Sequence, residues 1–239
     1  MTHARPANLL LRAILAADET GRLAAHLVAA ELERGAVIYR PEDEIGPIWF
    51  PETGLISISS IMISGDVVET SLVGQEGGVG LLEACAEGVM FSQARVQAAG
   101  AFLWLPASAY CDARNASPCL RATVQEHFKL LVTEYRQTVA CHARHRVENR
   151  LAWWLLEAQD RLGGEHALPL TQDVLADILG VQRTTITPIA LKLQSAGLIR
   201  YHRGVIKILD RQALESAACE CYATTQQFRQ RFKDHHSAA

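Results

Sequence analysis

The chain has 239 residues, 49% of them hydrophobic, and a formal net charge of −3 at pH 7. That length suggests two packed domains, and no apolar run nears the ~20 residues of a membrane helix, so a membrane protein is not expected. The charge is unevenly divided: the first 149 residues carry 12 Lys and Arg against 17 Asp and Glu, and the last 90 carry 11 against 9, which fits a scaffold or sensor followed by a module for an anionic partner.

Residues 8–32 are expected to be helical, on the spacing of Leu11, Ile14 and Leu15, then Leu23, Leu27 and Leu32. Ala-Ala-Asp-Glu follows the Leu-rich start, so this reads as a surface helix and not a secretory signal. From Gly35 the texture turns to strands. Ala36–Arg40, Ile48–Phe50, Leu55–Ile63, Val67–Val73, Ala94–Ala98 and Ala101–Leu105 are short apolar runs closed by Gly, Pro, Asp or Ser. Leu55–Ile63 alternates apolar residues with serine, the mark of an antiparallel strand with one buried face.

Helix returns after Pro106. Ser117-Pro118 is a start signal, Ser as N-cap and Pro in the first turn. The helix it opens is expected to reach about His142, with a stripe of Leu120, Val124, Phe128, Leu131, Tyr135 and Thr138 at close to heptad spacing, read as a dimer seam. A second helix is expected over Val147–Leu162, ended by Gly163-Gly164.

The most informative stretch follows, LTQDVLADILGVQRTTITPIALKLQSAGLIRYHRG from Leu170 to Gly204. Thr171 caps a first helix whose apolar face is Leu175, Ile178 and Leu179, and Gly180 supplies the turn. A second helix starts near Gln182 or Arg183, with Ile186, Ile189, Ala190 and Leu193 on one face. Leu198–Tyr201 and Val205–Leu209 form a two-stranded wing across His202, Arg203 and Gly204. From Ile178 to Leu209 there are five basic residues and no acidic one. A helix-turn-helix with a basic wing is a tool for placing a helix in the DNA major groove.

Six cysteines, Cys85, Cys111, Cys119, Cys141, Cys219 and Cys221, follow no disulfide spacing, so reduced thiols in a cytoplasm are expected. His142 and His145 lie three apart near a helix end, and Cys219 and Cys221 stand two apart in a region that reads helical and so would point apart. No metal site, cofactor or catalytic residue is assigned.

A β-roll, a long helix and a winged helix-turn-helix, in that order, resemble the Crp/Fnr family of bacterial transcription regulators. The segment Leu170–Gly204 carries the resemblance, and VGQEGGVG (Val73–Gly80) supports it. It implies an α+β protein: an antiparallel β-roll (double-stranded β-helix or jelly-roll-like, 1–117), a dimerisation helix and hinge (118–146) and a winged helix-turn-helix (147–239). It implies a non-enzyme that binds double-stranded DNA as a homodimer on a palindromic operator, and RNA polymerase if it activates. Thr171, Thr185, His202 and Arg203 are then expected at phosphates, and Arg183, Thr184, Thr187 and Pro188 at base edges, with Gln182 able to reach either. The Gly-Glu and Arg-Ser/Thr-Ala with which relatives hold a cyclic nucleotide correspond here to Gly80-Leu81 and Ser92-Gln93-Ala94, which lack both charges. The effector is therefore open. A sensor acting mainly through protein partners, with a vestigial helix-turn-helix, is the alternative.

Overall fold

The computed structural model describes residues 5–85, 88–164 and 167–237, with side chains to residue 231. The extreme ends of the first and last expected domains lie outside the described residues. A helix α1 (Leu9–Ala17) and a 3-10 turn (Leu23–His26) precede strand β1 (Val28–Leu32). The expected single helix over 8–32 is therefore corrected. Asp18 accepts hydrogen bonds from the backbone N–H groups of Thr20 and Leu23, and Gly21 takes φ +64, which together close the helix at Ala17.

Strands β2 (Val37–Tyr39), β3 (Ile48–Pro51), β4 (Leu55–Ile61), β5 (Val67–Val73), β6 (Gln93–Ala98) and β7 (Gly100–Leu105) complete the roll. They form two antiparallel sheets, ordered β1-β7-β3 and β2-β6-β4-β5. The alternation in β4 is realised: Ile56 and Ile58 face the interior with Tyr39, Val73, Val96 and Phe102, while Ser57 and Ser59 face the other way.

Helix α2 (Ala107–Ala116) leads to the long α3 (Pro118–Arg144). Ser117 caps α3 by accepting from Leu120 N at 3.1 Å. The expected apolar stripe does not face outward: Leu120 and Val124 are buried in the chain's own β-roll core beside Leu10, Phe50, Leu81 and Leu105, with Phe128 packed against it. This corrects the expected seam at these positions. Leu131, Tyr135 and Thr138 are half-buried, and Tyr135 and Thr138 face β5 and the helices that follow. A second stripe is exposed at every position: Ala122, Gln125, Lys129, Val132, Arg136, Val139 and Ala143. It too has heptad spacing, which is why spacing alone could not choose between them.

Helix α4 (Val147–Arg161) is followed by β8 (Ala167–Pro169), α5 (Gln172–Leu179), α6 (Arg183–Ser195), β9 (Ile199–His202), β10 (Val205–Ile208), α7 (Arg211–Ala217) and α8 (Cys221–Ser237). β8 joins the wing as a third strand, ordered β8-β10-β9; the sequence reading missed it. α8 folds back along α3, where Arg229 Nε meets Glu134 at 2.7 Å and Gln137 Nε2 meets Cys221 Sγ at 3.1 Å.

Candidate nucleic-acid interface

The helix-turn-helix is built by local chemistry. Thr171 Oγ1 accepts from Val174 N at 3.3 Å and opens α5. Gly180 takes φ +60, the left-handed conformation that ends α5 and turns the chain into α6. Leu175, Ile178 and Leu179 of α5 and Ile186 and Leu193 of α6 share one core with Leu155, Ile199 and Ile206. That core fixes which side of α6 looks outward. Pro188 stands inside α6 and cannot donate to the carbonyl four residues back.

Every residue expected to touch DNA lies on the outer side of this unit. Gln182, Arg183, Thr184, Thr187 and Pro188 are exposed along the first turns of α6, and Thr185 is half-buried. Leu191, 56% exposed, extends the same surface. At the wing, Arg203 (φ +47) and Gly204 (φ +75) both take positive φ between paired His202 and Val205, the geometry of a tight two-residue hairpin turn. That turn puts His202 and Arg203 at the tip. Thr171 lies beside it, its methyl 3.4 Å from where a Cβ on Gly204 would stand. Its hydroxyl accepts within the cap and keeps its own proton for an outside acceptor.

The basic charges are not all free. Arg183 Nη1 contacts both carboxylate oxygens of Asp173, at 3.1 and 3.2 Å, and Lys192 Nζ meets Glu148 at 2.8 Å. The hydrogen bond from Lys192 holds the Glu148 carboxyl below its ordinary range. The Arg183–Asp173 pair is largely exposed, so it is weak and exchangeable.

The helix-turn-helix rests on the β-roll. Val68 of β5 lies against Gly180, and Trp154 Nε1 of α4 donates to Glu69 of β5 at 2.5 Å. Burial pushes the Glu69 carboxyl up to about 7; hydrogen bonds from Ser57 and Trp154 only partly oppose it. Burial likewise raises Asp177 of α5, with Asp173 adding to it and Arg95 opposing. Between sheet and α5 lies a cleft of about 320 Å³ lined by Ser57, Ser59, Glu69, Gln93, Arg95 and Asp177.

A charged knot ties the two halves together. Arg161 of α4 meets Glu76 at 2.8 Å and also Glu157; Arg229 of α8 meets Glu157 at 2.5 Å and Glu134 of α3 at 2.7 Å. Burial opposes ionisation of Glu157, but the two guanidiniums outweigh it and hold the carboxyl at about 2. Glu76 belongs to the Val73–Gly80 motif, so that turn anchors the hinge.

The Gly80-Leu81 turn, expected to correspond to the nucleotide-holding turn of relatives, is packed against the roll's own side chains. Leu81 is 2% exposed and belongs to the core with Phe50 and Leu120, and a Cβ on Gly78 would stand 2.8 Å from the Phe50 ring. Leu81 is thus part of the core. Ala94 points inward and Arg95 is exposed on the other side of β6.

Sequence reasoning also missed a cluster. Cys219 lies before α8, not within it, so it does not point away from Cys221. Both thiols meet Cys141 and His145 at the end of α3. The signal, a Cys and a His four apart and a later Cys-x-Cys, was present, but the two halves are over 70 residues apart. His142 faces β5 and α4 instead.

An antiparallel roll, a long helix and a winged helix-turn-helix with an exposed outer face on α6 define a helix-turn-helix regulator. Residues 149–217 match the Crp-like helix-turn-helix domain. The transcriptional regulator SdrP of Thermus thermophilus is 27% identical over 170 residues, spanning 69% of this chain and 80% of that protein. A transcriptional regulator of the CRP/FNR family, also from Thermus thermophilus, shares the fold with TM-score 0.66 and 24% identity, over 80% of this chain and 98% of the other. FixK2 from Bradyrhizobium japonicum does so with TM-score 0.68 and 15% identity, over 81% and 98%. Residues 149–217 thus match a Crp-like helix-turn-helix domain, and the chain as a whole is similar to transcriptional regulators of the Crp/Fnr family. Among the described residues no helix is long and apolar enough to cross a membrane.

Proposed function

We propose that this regulator binds a two-fold symmetric operator as a homodimer and does so without a cyclic nucleotide. The observation that carries the reading is the outward face of α6 with the wing tip beside it. Gln182, Arg183, Thr184, Thr187 and Pro188 are presented together, and Arg203 and His202 stand where a phosphate backbone would pass. Arg183 suits guanine. Thr187 and the apolar surface of Pro188 and Leu191 suit thymine methyl groups. Thr171, Thr185, His202 and Arg203 position the module on phosphates.

The second copy is assigned to the exposed stripe of α3. Val132 is 46% and Val139 69% exposed, and small or flexible residues flank them at heptad steps. The seam is moved by one face from Leu120 and Val124, which the β-roll already covers.

The cyclic-nucleotide reading fails on charge and space. A buried phosphate needs a cation, Leu81 and Phe50 fill the region, and Arg95 is on the far side. We infer that the roll is a scaffold, or answers to a less charged effector in the cleft beside α5. We also propose that the protein is not an enzyme, acts in the cytoplasm, and meets RNA polymerase if it activates.

The test is a gel shift of ligand-free protein on DNA from upstream of its own gene, over a range of salt, with and without cyclic AMP. Binding that weakens steeply with salt and ignores cyclic AMP is expected. No shift at low salt on any DNA contradicts DNA binding, and tightening by micromolar cyclic AMP contradicts the pocket assignment.

A further inference from the structure

Four metal-ligating side chains converge at the junction of three helices. Cys141 ends the last turns of α3, and His145 follows it at the bend into α4. Cys219 and Cys221 flank Glu220 between α7 and α8. Their four ligand atoms all lie within 4.8 Å of one another. Cys141 Sγ is 3.5 Å from Cys219 Sγ, and Cys221 Sγ is 3.5 Å from His145 Nδ1. A tetrahedral site with metal–sulfur bonds of ~2.3 Å has edges of about 3.8 Å, so these spacings need little adjustment. All three thiols are buried and His145 is half-buried, leaving no open coordination position of the kind a catalytic metal keeps.

The surroundings are arranged for a thiolate centre. His145 Nε2 lies 3.1 Å from Glu220 Oε1. A proton held there turns the lone pair of Nδ1 toward the sulfurs, the usual way a carboxylate orients a metal-binding imidazole. Gln137 donates an N–H to Cys221 Sγ at 3.1 Å. Trp153 packs against the cluster, and its indole N–H is buried without an acceptor among the described residues. So is the Nε–H of Arg150, whose charge acts on Cys141 and Cys219. Three thiolates, a neutral imidazole and a divalent ion sum to −1, which a guanidinium balances.

We propose that Cys141, His145, Cys219 and Cys221 form a structural Zn²⁺ site that pins the C-terminal helix to the hinge between α3 and the DNA-binding module. Soft sulfur with one imidazole in a closed tetrahedron selects zinc over the oxygen-seeking cations. Each coordinating thiol releases its proton to solvent on loading. The ion would join the end of α3 to a segment beyond the matched helix-turn-helix domain, so it would stiffen the hinge without touching DNA. This inference is independent of the operator reading.

The experiment uses the full chain, purified under reductant. Elemental analysis is expected to find one zinc per chain. Replacement by Co²⁺ is expected to give the intense visible bands of a tetrahedral thiolate site. Cys141→Ser and Cys219→Ser should lose the metal, and Cys119→Ser, exposed and outside the cluster, should keep it. If the serine variants do not fold, thiol titration of the wild type decides: chelation should make three further thiols reactive and lower the melting temperature. A reduced wild type that takes up neither Zn²⁺ nor Co²⁺ without oxygen overturns the proposal. So does an octahedral cobalt spectrum, or a Cys141–Cys219 disulfide in a protein that binds no metal once reduced.

Discussion

Arg183 stands exposed at the first position of α6, on the face proposed to meet DNA, and its guanidinium rests on Asp173. An exposed pair of this kind contributes ~0.2–1 kcal/mol, less than the ~1–3 kcal/mol of a bidentate guanine contact, so the arginine can exchange one partner for the other. Arg183→Ala should therefore weaken specific binding by about 1–3 kcal/mol and relax preference at one guanine, measured by titration on matched and substituted sites. Equal affinity to wild type would show that α6 is not the reader. Glu69 makes a different case. Its folded-state pKa is raised, so its protonated form stabilises the docked arrangement. That contribution is complete below about 4.5, falls as pH rises and is lost above about 7. Glu69→Gln should keep the stabilisation throughout. The difference in melting temperature between variant and wild type should thus widen as pH rises from about 5 to about 8. His142 titrates in both proteins and cancels in that difference. A difference that stays flat would mean Glu69 is ionised or solvated.

At the scale of elements, strands and helices were legible where one period dominates: the serine alternation of β4, the Ser-Pro start of α3, and the Thr cap and glycine turn of α5. The misreadings have physical causes. Leu23, Leu27 and Leu32 keep helical spacing across a break that only the side chain of Asp18 and the backbone of Gly21 create. β8 is three residues long and exists because β10 pairs with it. The two stripes of α3 share one heptad period, and which of them the roll covers is a tertiary fact. The exposed face proposed for recognition was readable because it is contiguous in sequence; the cysteine cluster was not, because its halves meet only when α8 returns along α3. The exposed stripe carries its own prediction. Val139 is the most exposed large apolar residue on α3. Val139→Asp should yield monomer by light scattering at micromolar concentration, where the wild type is expected to be a dimer. Leu120→Asp should instead unfold the roll, since Leu120 is fully buried in it. A Val139→Asp protein that stays dimeric would put the partner on another face.

For the whole molecule, the β-roll, the long helix and the DNA-binding module are one connected object. Glu69 and Trp154 join β5 to α4, the Glu76–Arg161–Glu157–Arg229–Glu134 knot joins roll, hinge and α8, and the cysteine cluster closes the same corner. In the proposed dimer, a module held this firmly is suited to present two α6 helices at a fixed separation. In the proposed complex the wing contributes charge without sequence information. Arg203→Ala should weaken binding to all sequences alike and shallow the salt slope by about one unit, and an unchanged slope would remove the wing tip from the interface. The most direct measurement is enrichment of random-sequence DNA on the wild-type protein without added nucleotide. The account predicts an inverted repeat whose half-sites lie about one helical turn, ~34 Å, apart, with guanines that lose their weight in Arg183→Ala. Enrichment of a single unpaired half-site, or of nothing, would contradict it.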